Sequence, residues 1–127
     1  MICGIIATHG NLGFELIRTA ERIAGPQDEL VFISNEGLSV ESFARFVKER
    51  LNQCSGATGV VIMTDVPGGS PTLACRRIRE DGGPAWIITG VNLPMVLAFL
   101  QYRESLAPEK LVAAVADRGA KAIEVVG

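Results

Sequence analysis

Short, wholly apolar runs alternate with amphipathic segments along the chain, and that alternation leaves few folds open. Residues 2–8 (ICGIIAT) are a continuous Ile-rich run, which suits a strand buried on both faces. Residues 30–34, 59–64 (GVVIMT) and 85–89 (AWIIT) read the same way. Between the first two, residues 12–24 place Leu16, Ala20, Ile23 and Ala24 on one helical face, and Gly25-Pro26 stops the helix. Ser39 can cap a second helix with the buried stripe Val40, Phe43, Ala44, Val47 and Leu51. Its outer face carries Glu41, Arg45, Lys48 and Glu49. A third helix spans about 70–79 and ends in a Gly82-Gly83-Pro84 turn. Helices near 93–102 and 108–118 follow, the latter with Pro108 in its first turn, and residues 122–126 close the chain as a fifth short strand. The pattern predicts an α/β protein: an open three-layer α/β/α sandwich around a mainly parallel four-stranded sheet, plus the C-terminal strand. No linker, repeat or low-complexity stretch interrupts it, so residues 1–127 form a single domain.

Charge and cysteine usage exclude several functions. Twelve basic against fourteen acidic residues leave a net charge of −2, with no basic footprint for nucleic acid or a membrane surface. The three cysteines, Cys3, Cys54 and Cys75, are far apart and lack a C-x-x-C spacing, so neither a disulfide framework nor a zinc site is indicated. Cys3 reads as a small buried hydrophobe. The N-terminus lacks the basic region of a signal peptide, and no run approaches membrane-spanning length, so a cytoplasmic protein is expected.

In open α/β sheets, ligands bind outside the carboxyl ends of the strands. The first run ends in Thr8-His9-Gly10-Asn11 and holds the only histidine. The third ends in Asp65, followed by Val66-Pro67-Gly68-Gly69-Ser70-Pro71, and the fourth in Thr89-Gly90-Val91-Asn92-Leu93-Pro94. Each piece has an ordinary structural use. Asp65 can cap a turn, Ser70 can be an N-cap ahead of Pro71, and the Asn92 loop can repeat that device. Convergence on one edge points instead to a phosphohistidine site. Asp65 would accept a ring N–H of His9, fixing the tautomer and stabilising positive charge on the ring. The helix starting at Ser70 would offer amides and a positive dipole end to a phosphoryl group, with Gly68 and Gly69 allowing close approach. There is no P-loop and no G-x-G-x-x-G after the first run, and Asp28 and Glu36 do not build a magnesium cluster around Asp65.

At these residues the sequence resembles the enzyme IIA family of mannose-type phosphotransferase systems, over nearly its whole length. Ile5-Ile6-Ala7-Thr8-His9-Gly10 is similar to the phosphorylation-site strand, Asp65 to Pro71 to the D-x-x-G-G-[ST]-P loop, and Thr89 to Met95 to the G-x-N-x-P-M segment. The resemblance implies a transferase with a transient phosphohistidine. His9 would accept phosphate from the phosphocarrier protein HPr and pass it to a IIB protein, with Asp65 as its ring partner. Gly69 and Ser70 would lie against the phosphoryl group, with Gly10 and Asn92 as supporting loop residues. No cofactor and no metal are implied. The C-terminal strand would be exchanged across a homodimer, and the link to membrane permease subunits would be indirect. This chain carries no fused IIB domain, so the acceptor would be a separate protein. Pro67 stands where some members have an aromatic residue, a position that bears on partner preference. Two other readings use the same site: a regulatory phosphorelay module, and the phosphoryl-donor subunit of dihydroxyacetone kinase. The identity of the sugar is not encoded, because the IIA component does not touch it.

Overall fold

The computed structural model of the chain describes residues 1–54, 57–83 and 85–127. The elements run β1 (Cys3–Thr8), α1 (Leu12–Ala24), β2 (Leu30–Ser34), α2 (Val40–Gln53), β3 (Val60–Thr64), α3 (Ser70–Glu80), β4 (Ala85–Thr89), α4 (Leu93–Tyr102) and α5 (Pro108–Lys121). The four strands form one parallel sheet in the order β2-β1-β3-β4. Every residue of β1 and β3 is buried, which explains why these two read as unbroken apolar runs.

Alternate side chains of each strand feed two separate cores. Ile6, Val61 and Met63 pack with Ile17 of α1, Val96 and Phe99 of α4, and Leu111 and Val115 of α5. Ile5, Ala7, Val60 and Ile62 pack with Phe43 and Val47 of α2 and Ala74 and Ile78 of α3. The three expected layers are therefore present: α1, α4 and α5 on one face, α2 and α3 on the other.

Several local expectations are corrected. Ile23 is 62% exposed, and the buried stripe of α1 is Gly13, Ile17 and Ala20. The Gly13 amide donates to Thr8 Oγ1 at 2.9 Å, which pins the helix start over β1 and rotates Ile23 outward. α3 starts from Gly69 as N-cap, not Ser70, because the Ser70 hydroxyl accepts a hydrogen bond from the Asn35 side chain instead. α5 runs on to Lys121, and the fifth strand does not form within the chain. Ile123, Val125 and Val126 lie exposed, and among the described residues no strand pairs with them. Cys3 and Cys54 are joined in a disulfide, contrary to the sequence expectation. Their separation of 51 residues gave no hint that the start of β1 and the end of α2 adjoin in the fold. Of the Gly82-Gly83-Pro84 turn, Pro84 lies outside the described residues; Gly82 has a φ of +87°, a left-handed value suited to glycine.

Candidate active site

The strand order makes β1 and β3 the inner pair, with their connections departing to opposite sides. The crevice at their carboxyl ends is the switch point of a doubly wound sheet. His9 follows β1 and Asp65 follows β3, so the two face each other across that crevice despite a sequence separation of 56. His9 Nδ1 lies 2.8 Å from Asp65 Oδ2, and the His9 backbone amide donates to the same oxygen at 2.9 Å. One carboxylate oxygen thus holds both the ring and the strand end that carries it. The second oxygen accepts from the Val66 amide at 3.1 Å.

Partial burial works to raise the Asp65 carboxyl, but the hydrogen bonds from the His9 amide and ring outweigh it and hold the group below its ordinary value. Asp65 is then ionised at neutral pH and can only accept. Nδ1 must therefore carry the proton, and Nε2 keeps its lone pair. The His9 side chain is 46% exposed and Asp65 is 9% exposed. The orienting group is shielded while the ring remains open to solvent.

Gly69 stands against the ring. A Cβ there would fall 2.6 Å from His9 Cε1 and 3.4 Å from Nε2, so only glycine fits without moving the imidazole. Gly68 is different: a Cβ there meets nothing within 4 Å. Close approach of backbone to ring thus depends on the second glycine alone. Gly10 has a φ of +51°, the left-handed conformation that turns the chain away from β1. Asn92 supports from a distance. It caps α4 by accepting from the Met95 amide at 3.0 Å, and its amide group donates to the Gly119 carbonyl at 3.1 Å, tying α4 to α5.

Two groups went unnoticed in the sequence. Asn35, just after β2, accepts from the Gly10 amide at 3.3 Å and donates to Ser70 Oγ at 3.0 Å. It bridges the His9 turn to the first residue of α3. Beneath the Asp65 loop, Thr72 donates to the Val66 carbonyl at 2.6 Å, and Thr64 Oγ1 lies 2.7 Å from the same hydroxyl. Because the Thr72 proton goes to Val66, Thr64 is the donor in that second bond. This buried chain of hydroxyls fixes the loop that carries Asp65. Ordinary Asn and Thr residues at strand and helix ends carry no sequence signal of this kind.

An imidazole held by a carboxylate thus stands at the mouth of a doubly wound sheet, beside a glycine that opens a helix. Residues 4–116 match the EIIA-man family, described as the PTS system fructose IIA component, and the chain belongs to that family. It is 30% identical over 122 residues to the mannose-specific EIIAB component of Escherichia coli strain K12, covering 94% of this chain and 38% of that protein. It is 28% identical over 115 residues to the fructose-specific EIIA component of Bacillus subtilis, covering 88% of this chain and 77% of that one. The phosphotransferase system component EIIA from Streptococcus agalactiae has the same fold, with a TM-score of 0.90, 23% identity, and coverage of 98% and 97% of the two chains. The chain spans 38% of the length of the mannose-specific relative it matches. No helix among the described residues is long and apolar enough to cross a membrane.

Proposed function

We propose that the chain carries a phosphoryl group on His9 Nε2, taking it from phosphorylated HPr and passing it to a IIB protein. The observation that carries this reading is the 2.8 Å contact between His9 Nδ1 and Asp65 Oδ2. It leaves Nε2 as the nucleophile. The Nε2 lone pair attacks phosphorus, and the donor P–N bond breaks with its electron pair returning to the donor ring. The ring of His9 then carries positive charge, which the Asp65 carboxylate stabilises in place. Onward transfer reverses these roles. The phosphoryl group would sit at the start of α3, against Gly69 and the Ser70 hydroxyl, where helix amides and the dipole favour an anion. Gly68 leaves open space beside it. Positioning and charge stabilisation are most of what phosphoryl transfer requires.

Partner docking is supported by three exposed apolar residues on the segments that follow β1 and β3: Leu12 (46%) at the start of α1, Val66 (49%) in the Asp65 loop and Leu73 (45%) in the first turn of α3. Such a reading places the protein in the cytoplasm, with contact to permease subunits only through IIB. The exposed tail with Ile123, Val125 and Val126 supports a homodimer in which a second copy supplies the missing strand neighbour. Sedimentation of the full chain should show a dimer, and truncation after Lys121 a monomer. A monomeric full chain removes the dimer from the proposal.

The central test is incubation with phosphorylated HPr. Acid-labile label should appear on the wild-type chain, be absent from His9→Ala, and form about 100-fold more slowly on Asp65→Ala, where the ring loses its orienting partner. An unlabelled wild type, or equal label on His9→Ala, overturns the reading.

A further inference from the structure

We propose that Cys3 and Cys54 form a reversible thiol–disulfide site, open to small thiols and disulfides, at the end of the sheet opposite His9. Cys3 is the first residue of β1 and Cys54 is the C-cap of α2. Their Cα atoms are 6.1 Å apart, within the span that a disulfide needs without backbone movement. A cavity of about 150 Å³ adjoins the pair, lined by both cysteines, Glu29, Val31, Arg50 and Gln53. A small thiol can therefore reach a bond that would otherwise be sealed in the core. Cys54 is the accessible partner, at 6% exposure against 1% for Cys3. The third cysteine takes no part: Cys75 is fully buried, and burial pushes its thiol up to about 12, which leaves it protonated and inert.

The exchange balances as follows. The Cys54 thiolate attacks a small-molecule disulfide, RSSR, and expels one thiolate, RS⁻. The Cys3 thiolate then attacks the Cys54 sulfur of the mixed disulfide and expels the second. Two protein protons end on two RSH molecules, and the protein pair is oxidised as RSSR is reduced. The closed bond staples β1 to the end of α2 across 51 positions. A loop that long loses much of its unfolded-state freedom on closure, so oxidation stabilises the chain.

The experiment equilibrates the full native chain in reduced and oxidised glutathione at a series of ratios. Intact mass should show a reversible loss of two hydrogens, with a Cys3–Cys54 linked peptide on digestion. The melting temperature should rise by roughly 10–15 °C in the oxidised form. Cys54→Ser should abolish that rise, Cys75→Ala should retain it, and His9 labelling should be the same in both redox forms. Three results overturn the proposal: thiols that stay free at every ratio, a bond that resists reduction until the chain unfolds, or zinc bound stoichiometrically by the reduced pair. The last would make the site a metal centre, with Glu29 as third ligand, since its carboxylate and both sulfurs lie within 4.8 Å of one another. Mass analysis of the wild-type chain decides the matter even where a cysteine variant folds poorly.

Discussion

The carboxyl and amino ends of the sheet answer opposite demands. At the carboxyl end, the segments after β1, β2 and β3 bond to one another through His9, Asn35, Asp65 and Ser70 and leave one ring exposed. At the amino end, one buried cation ties together the segments around the strand starts. Arg103, 3% exposed, donates to the carbonyls of Ile2, Asp28 and Glu29 and to Gln27 Oε1, at 3.4, 2.7, 3.1 and 3.1 Å. Its guanidinium lies 5.5 Å from the Phe99 ring centroid. Burial works against that charge, and the carboxylates of Glu104, Glu29 and Asp28 partly offset the effect. Gly4 lies against Phe99 so closely that a Cβ would fall 2.7 Å from the ring. The lesson is a division of labour along the strands. Buried polar contacts around Arg103 hold the strand starts, and the exposed His9 ring stands at the strand ends.

Arg103→Met is the strongest way to break that division. The methionine keeps much of the apolar stem but takes the guanidinium donor from three groups, the Ile2 and Asp28 carbonyls and the Gln27 side chain, while the Glu29 carbonyl keeps the Gly4 amide. At about 1 kcal/mol or more for each unsatisfied buried group, the loss is about 3 kcal/mol. For a chain of this length that corresponds to roughly 10 °C in melting temperature. Below the transition, His9 should accept phosphate at the wild-type rate. A slower rate in the folded variant would show that the two ends are coupled, and the comparison would fail.

Much of this was legible in the sequence, because a strand buried on both faces has no polar position to disguise it. The four strands of the sheet and the five helices read correctly in order and type from apolar runs, whereas the fifth strand, the buried stripe of α1 and the N-cap of α3 did not. The site was legible for a topological reason: parallel strands bring every carboxyl end to one edge, so His9 and the Asp65 loop had to converge there. What could not be read depended on register between distant elements. Asn35 bridges Gly10 and Ser70 only because β2 and β1 end level with each other, Thr8 opposite Ser34. The Cys3–Cys54 bond needs the end of α2 to return beside the start of β1. The tail beyond Lys121 has the composition of a strand, yet a strand needs a neighbour, and among the described residues the tail pairs with none.

Gly69→Ala sharpens the comparison from the open end, with a smaller effect on folding. Gly69 caps α3 in extended backbone, with a φ of −76° and ψ of 161°, which alanine also adopts. Replacing a glycine N-cap by alanine should change stability by less than about 1 kcal/mol. The added methyl, however, meets His9 Cε1 at 2.6 Å. A side-chain ring can swing away where backbone could not, so the fold survives and the imidazole moves. That movement strains the Nδ1 contact to Asp65 and misaims Nε2. A displacement of about 1 Å at a reacting atom is enough for roughly 100-fold in rate. Gly68→Ala provides the control, since its methyl would point into open space. Labelling by phosphorylated HPr should fall steeply in the first variant and little in the second, with both melting near wild type. Equal labelling in the two would mean that the ring does not need the space Gly69 leaves, and that its aim is set by Asp65 alone.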